Sequence, residues 1–300
     1  GRYAQAADAN ELAIAAYNAY FAVAPPPRFY NLYYLHNLHF LAYASMMEGR
    51  REKALGAARR VEGDIPQTWL MENLELADAF MPTTLHVLVR FGGWEEILAE
   101  PQPPEERLLS RTMWHYARGI ALANLKRSRE ARCELAAFNE LASRMDDTWR
   151  IGNNPVPTII PLARGMLEGE ILFHEGERDA AFNRLRDAVA IEDRLVYDEP
   201  PGWMQPVRHA LGALLIADGR AAEAEAVYRA DLERHPNNGW SLTGLDQALR
   251  LQGRDEEATA VRAQLNRSFA RADVKPKASC YCQPGAREDA GQARQPVSAH

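Results

Sequence analysis

The sequence predicts an all-α protein in which pairs of helices stack along the chain, and three observations support this fold class. Ala, Leu, Arg and Glu dominate, and the apolar residues recur at the spacing of a helix face. Runs of β-branched residues and hairpin turn sequences are nearly absent. A short turn, most often at a glycine, returns at intervals of 34 to 50 residues, which is typical of a helical repeat.

The turns divide the chain into six predicted helix pairs, preceded by one leading helix. Five turns fall at glycine, and the sixth falls near a lysine where the helix–turn–helix pattern continues. The turns lie at Gly49, Gly92, Lys126, Gly176, Gly219 and Gly253. Pro-rich segments between pairs are predicted to be loops, and they cover residues 101–106, 153–161 and 197–203.

Each predicted pair carries small residues where its helices must approach closely. They are Ala42, Gly119, Gly169 and Gly212 in first helices and Ala54, Ala131, Ala181, Ala224 and Ala258 in second helices. One pair cannot bury its apolar face alone, so the pairs must stack. We therefore expect one helical repeat domain over residues 1–271. Residues 272–300 are rich in Pro, Ala, Gln and Gly without a period, and we expect them to be mostly disordered.

The last two pairs resemble the tetratricopeptide repeat family. The best unit matches the family's spacing of large, Leu, Gly, Tyr, Gly, Ala, Phe and Pro positions, with Arg at the usual Trp site and Leu at the Tyr site. It consists of Arg208, Leu211, Gly212, Leu215, Gly219, Ala224, Tyr228 and Pro236. The following unit keeps Leu245, Gly253 and Ala258 but has Asp246 where Gly is usual. The resemblance, extended over residues 1 to 270, implies a right-handed superhelical solenoid of helix–turn–helix repeats.

The resemblance also implies that the first helix of each pair lines a concave groove. Aromatic side chains there would bury area, and arginines would bind carboxylates, so we predict a scaffold that takes a protein or peptide partner or a small ligand. The predicted binding residues are Tyr33, Tyr43, Arg90, Tyr116, Asn124, Phe173, Trp203, Trp240 and Arg250. The Lys/Asn/Arg set with which some family members hold a peptide's terminal carboxylate is not visible.

A metal site in the same groove is the alternative hypothesis, because five of the eight histidines fall on the groove face. The predicted ligands are His36, His39, His86, Glu170, His174 and His209. The spacings His36–His39 and Glu170–His174 each place two ligands on one helix face. A histidine from a neighbouring helix, ~8–10 Å away, would complete a site for a divalent transition metal such as Zn, Fe, Mn or Cu. An open coordination position would allow metal-dependent catalysis.

Three cysteines do not make a disulfide framework. Cys280 and Cys282 form a C-x-C sequence that would bind a soft metal or close a disulfide, and their segment would add thiolates to the histidines if it folded back into the groove. Cys133 is expected to be a small buried residue.

The composition and the motifs of the sequence narrow the classes of function that the protein could have. The net charge of -6 gives no indication of a nucleic-acid partner, and no apolar run approaches the ~20 residues of a membrane span. No phosphate-binding loop or nucleophile motif is present, so we assign no catalytic residues and favour a binding role over an enzyme. The chain opens without Met inside a helical pattern, so we expect its natural start to be missing, and cytoplasmic and periplasmic locations both stay open.

Overall fold

A computed structural model describes residues 1–24 and 28–287, which form fifteen helices and one short β-hairpin. The helices are α1 (Tyr3–Phe21), α2 (Tyr30–Met47), α3 (Arg51–Gly63), α4 (Gln67–Glu72), α5 (Leu74–Ala77), α6 (Thr83–Arg90), α7 (Trp94–Ala99), α8 (Leu108–Asn124), α9 (Ser128–Ala142), α10 (Val156–Glu175), α11 (Arg178–Glu192), α12 (Val207–Ala217), α13 (Ala221–Arg234), α14 (Gly239–Leu251) and α15 (Asp255–Ser268). The strands β1 (Arg150–Ile151) and β2 (Asn154–Pro155) pair antiparallel, with Arg150 opposite Pro155. Among the described helices, none combines the length and apolar character needed to cross a membrane.

The predicted leading helix and six helix pairs are all present. The leading helix is α1, and the pairs are α2/α3, α6/α7, α8/α9, α10/α11, α12/α13 and α14/α15. The two helices of each pair pack on each other, and each first helix also packs on the first helix of the next pair. The predicted all-α class and the consecutive packing of neighbouring helices are therefore confirmed.

Every predicted turn contains one residue with left-handed backbone geometry. The φ values are 72° at Gly49, 65° at Gly92, 61° at Lys126, 92° at Gly176, 78° at Gly219 and 72° at Gly253. Such a residue ends a helix and reverses the chain, and glycine adopts this geometry without a steric penalty. Lys126 adopts it with a side chain present, so the turn position is kept where the glycine is missing.

The first helices form an inner layer and the second helices an outer one. In α12, ten of eleven residues are buried, whereas in α13 only three of fourteen are. The first and last helices of the inner layer, α2 and α14, are in contact. Nε1 of Trp240 in α14 donates a 2.8 Å hydrogen bond to the carbonyl of Met46 in α2. The first and last pairs therefore meet, and the inner layer encloses a shared interior.

Small residues permit the close helix packing, as predicted. A Cβ atom on Gly119 would lie 2.7 Å from Leu167 Cδ1, and one on Gly169 would lie 2.7 Å from Leu185 Cγ. The predicted alanines of the second helices are fully buried: Ala54, Ala131, Ala181, Ala224 and Ala258.

The predicted loop over residues 153–161 is wrong for most of its length, because α10 begins at Val156. Pro157 lies in the first turn, where a backbone N–H would have no helical partner, so proline is tolerated there. Pro161 lies inside the helix, next to the buried side chains of Ile160 and Leu162. The burial of these apolar residues holds the helix despite the proline.

Part of the segment predicted to be a mostly disordered tail, residues 272–287, is described by the structure. Residues 272–287 form no helix or strand, yet Ala278, Ser279, Cys280, Tyr281 and Cys282 are all buried. The small and aromatic side chains of residues 278–282 fill the interior that the inner helices enclose. Residues 288–300 of the predicted tail lie outside the described residues.

Candidate functional site

The structure buries six of the nine predicted binding residues instead of leaving them on an open groove. The six are Tyr43, Arg90, Tyr116, Phe173, Trp203 and Trp240, each at most 5% exposed. Two chain segments cover them. The insertion before α12 contributes the buried side chains of Trp203 and Met204. The C-terminal segment contributes the buried residues 278–282. In the described chain these six residues therefore line a filled interior.

The remaining three predicted binding residues lie apart from this interior or at its border. Tyr33 is 54% exposed and lines an outer cavity with Phe29 and Trp69. Arg250 is exposed and forms ion pairs with Asp246 and Asp255. Asn124 is partly buried and belongs to the interior through a hydrogen bond to Glu170.

Arg90, at the end of α6, is the central cation of the interior. It donates hydrogen bonds to the carbonyl oxygen of Ser279 (3.1 Å) and to Nδ1 of His209 (2.7 Å), and its guanidinium lies 4.2 Å from the Trp240 ring centroid. Burial lowers the pKa of Arg90 to about 9. The side chain is therefore charged at neutral pH and holds three segments of the chain together.

The contact with Arg90 determines the tautomer of His209. Because Arg90 can only donate, Nδ1 of His209 accepts, and its Nε2 then donates to Asp231 at 2.9 Å. Burial lowers the pKa of His209 to about 4, so the ring is neutral. Both ring nitrogens are occupied, and His209 is not free to bind a metal as predicted.

Asp231 is fully buried and accepts hydrogen bonds from several side chains. Its donors are His209, His235 (3.0 Å), Asn238 (2.9 Å) and Ser241 (2.6 Å). Burial opposes ionisation, but His209 and His235 hold the pKa of Asp231 well below its ordinary range. Sequence reasoning missed this carboxylate, since one Asp on an outer helix carries no local signal.

Residues 278–282 are held by contacts from four helices: the side chains of Arg90 (α6), Tyr228 (α13) and Trp240 (α14) and the backbone carbonyl of His209 (α12). The hydroxyl of Ser279 donates to the carbonyl of His209 at 2.8 Å and shares a 2.7 Å hydrogen bond with Tyr228. Tyr281 lies edge-on to Trp240, with ring centroids 6.2 Å apart, and a side chain on Gly92 would collide with it. The segment is thus bound by its backbone, its hydroxyl and its aromatic ring.

Glu170 on α10 meets the two C-terminal cysteines inside the same interior. One carboxylate oxygen of Glu170 and the sulfurs of Cys280 and Cys282 all lie within 4.8 Å of one another. The two cysteines are joined in a disulfide. Asn124 donates a 2.6 Å hydrogen bond to Oε2 of Glu170, yet burial raises the pKa of Glu170 to about 8. Cys133, by contrast, is exposed on α9, so its predicted burial is wrong.

Three of the predicted histidine ligands, His36, His39 and His86, line two small cavities. His39 and His86 share the lining of a cavity of about 20 Å³, and His36 joins His39 in a second cavity of about 60 Å³. Nε2 of His39 lies 3.2 Å from the sulfur of Met204, and His86 lies edge-on to Trp203. Among the described residues, no group of three ligand-type side chains at metal-binding separation includes a histidine.

The environments of His39, His86 and His174 favour the neutral ring. Burial lowers the pKa of His39 to about 3 and that of His86 to about 4, with the neighbouring histidines adding to the effect at His39. Burial, followed by Arg178 and Lys126, lowers the pKa of His174 to about 4, and Nε2 of His174 has no hydrogen-bond partner among the described residues.

Comparison with known proteins returned no relative: neither a protein-family model nor a curated protein sequence matches this chain.

Proposed function

We propose that this chain is a tetratricopeptide-like superhelical repeat protein whose inner face binds a short peptide segment. The supporting observation is the position of residues 278–282. This segment of the chain's own sequence lies against the inner helices with its backbone and side chains engaged by Arg90, Tyr228 and Trp240. The inner face therefore already holds a peptide in cis, and a partner peptide of similar chemistry would occupy it in trans.

The contacts define the chemistry of the bound segment. A carbonyl oxygen accepts from Arg90, and the hydroxyl of Ser279 fits between the Tyr228 hydroxyl and the His209 carbonyl. Two positions later, an aromatic ring packs on Trp240 above Gly92. The site thus suits a bent peptide segment with a small hydroxyl residue followed, two positions on, by an aromatic residue.

The repeat geometry supports the same proposal. Six helix hairpins turn at residues with positive φ, and their first helices form the buried inner layer. Repeat proteins of this kind present such a layer to ligands. In the tetratricopeptide-like interpretation, the buried residues Tyr43, Tyr116 and Phe173 belong to this inner layer.

The test is an exchange experiment in the folded protein. A specific protease site is inserted between Lys275 and Pro276, the protein is cleaved, and a fluorescent peptide of residues 276–287 is added. We expect the labelled peptide to replace the cleaved segment, with saturable binding. Each lost hydrogen bond or ring contact is worth about 1 kcal/mol, so Ser279→Ala and Tyr281→Ala peptides should compete about fivefold to tenfold less well.

The control peptide carries Pro284→Ala, since Pro284 is exposed and should not contribute. Equal competition by all three variants would refute recognition by the inner face. Failure of any labelled peptide to enter the cleaved, folded protein would show that residues 278–282 are only a part of the core.

A further inference from the structure

The meeting of Glu170 with Cys280 and Cys282 is not needed for peptide recognition. All three side chains are at most 2% exposed, and their ligand atoms lie within 4.8 Å of one another. The carboxylate comes from the middle of the chain and the sulfurs from its C-terminal segment. The fold therefore assembles this donor set only when residues 278–282 lie in the interior.

The donor types select a class of metal ion. Two thiolate sulfurs favour a borderline or soft cation, and one carboxylate oxygen is compatible with Zn²⁺, which takes four tetrahedral ligands from Cys, His, Asp and Glu. Water would supply the fourth ligand. Hard cations such as Mg²⁺ and Ca²⁺ require oxygen ligands and do not suit this set.

The surroundings are suited to a site with excess negative charge. Two thiolates and one carboxylate around a divalent cation leave one net negative charge. Arg90 donates to the carbonyl of Ser279, the residue next to Cys280, so a buried cation contacts the segment that carries the two sulfurs. Asn124 donates to Glu170 at 2.6 Å, which orients the carboxylate as outer partners of metal ligands commonly do.

We propose that the reduced protein holds one Zn²⁺ ion between Cys280, Cys282 and Glu170. The disulfide and the zinc complex are then two alternative states of the same segment. A dithiol reductant supplies two electrons and two protons, the S–S bond breaks to two thiols, and the reductant becomes its own disulfide. Zn²⁺ replaces the two thiol protons and the proton of the Glu170 carboxyl group where it is protonated, and these protons leave to solvent. The zinc site does not depend on the peptide-binding function proposed above.

The first test measures metal binding by the full-length chain in both redox states. Protein is reduced under anaerobic conditions with a phosphine, or oxidised with diamide, and is then equilibrated with Co²⁺ or Zn²⁺. We expect one metal ion per reduced chain by elemental analysis and none per oxidised chain. Co²⁺ should give the intense near-ultraviolet charge-transfer absorption that reports thiolate ligation.

Variants assign the ligands. Cys280→Ser/Cys282→Ser should abolish both the metal and the absorption, and Asn124→Ala should weaken metal binding roughly 10- to 100-fold through the misoriented carboxylate. Cys133→Ser is the matched control, because that thiol is exposed and distant in the fold. Metal that survives the double cysteine variant but disappears in His36→Ala/His39→Ala would overturn the proposal and assign the ion to the histidines.

A second measurement avoids variants that fail to fold. Reduced wild-type protein is treated with N-ethylmaleimide with and without Zn²⁺, and each cysteine is followed by mass spectrometry. We expect Zn²⁺ to slow the labelling of Cys280 and Cys282 at least tenfold and a chelator to reverse this protection. Cys133 is the internal control and should react equally in both samples. Identical labelling of Cys280 and Cys282 with and without Zn²⁺ would refute the site.

Discussion

Nη2 of Arg90 lies 2.7 Å from Nδ1 of His209, and this buried hydrogen bond joins α6 to α12 across the interior. The other ring nitrogen of His209, Nε2, donates a hydrogen bond to Asp231 of α13. The three side chains thus connect the second and fifth helix pairs, and the neutral imidazole links a buried cation to a buried anion.

This relationship predicts that Asp231→Asn destabilises the protein strongly. The amide keeps one acceptor oxygen but loses the charge, so several of the donors His209, His235, Asn238 and Ser241 are left without a partner. We expect a loss of about 3–5 kcal/mol in the free energy of unfolding, measured by urea titration. Asp187→Asn, at an exposed position, is the control and should stay within about 0.5 kcal/mol of the parent. A small effect of Asp231→Asn would show that the network is not a stabilising one.

Two glycine-to-alanine substitutions in helices should change the stability of the protein in opposite directions. A Cβ atom on Gly212 would overlap the ring of Tyr228, so Gly212→Ala should destabilise by about 1–3 kcal/mol through overpacking. A Cβ atom on Gly56 in α3 meets no atom within 4 Å, so Gly56→Ala should stabilise by about 0.5–1 kcal/mol through helix propensity. Thermal unfolding of both variants tests this pair. The same sign in both would contradict the assigned packing.

The C-terminal segment should stabilise a helix near the start of the chain. The carboxylate of Asp273 accepts from the backbone N–H groups of Arg51 (2.6 Å) and Glu52 (3.0 Å), at the beginning of α3. These two donors have no partner within the helix, and loss of a cap costs about 1 kcal/mol. Asp273→Ala should therefore speed amide exchange at Arg51 and Glu52 and lower stability by that amount. Asp273→Asn, which keeps an acceptor, should lose less, and equal losses in the two variants would argue against a cap.

His86 should make the protein less stable in mild acid. Its folded pKa is lowered to about 4, whereas an unfolded histidine titrates near 6.5. Below pH 6.5 the unfolded chain takes up a proton that the folded chain does not. The contribution of His86 is therefore complete above pH 6.5 and is lost as the pH falls towards 4, by about 1.4 kcal/mol per pH unit.

The variant His86→Phe isolates this effect. Phenylalanine keeps a ring beside Trp203 and cannot take up a proton. We expect the stability of His86→Phe, relative to the parent protein, to rise between pH 7 and pH 5 in urea titrations. Parallel stability–pH curves for the two proteins would show that His86 is protonated in the folded state.

The sequence by itself determined the helices and their turns, because these depend on short-range properties. A residue with left-handed backbone geometry, such as Gly219 or Gly253, directly follows the helix that it ends, so the turn can be recognised from a few neighbouring residues. The helix–turn–helix pattern around Lys126 located that turn in the same way. These signals suffice for an all-α chain whose consecutive helices pack on one another.

Only the tertiary structure decided how the interior is filled. The hydrogen bond from Trp240 to Met46 and the entry of Ser279 between Tyr228 and His209 join residues far apart in the chain, and no local period encodes such contacts. The sequence interpretation located Glu170 on the inner face and Cys280 in a tail, but their meeting depends on how the inner layer of helices closes. Whether the first and last helix pairs meet depends on the sum of the small rotations between all the helix pairs. Their contact is therefore a property of the whole fold.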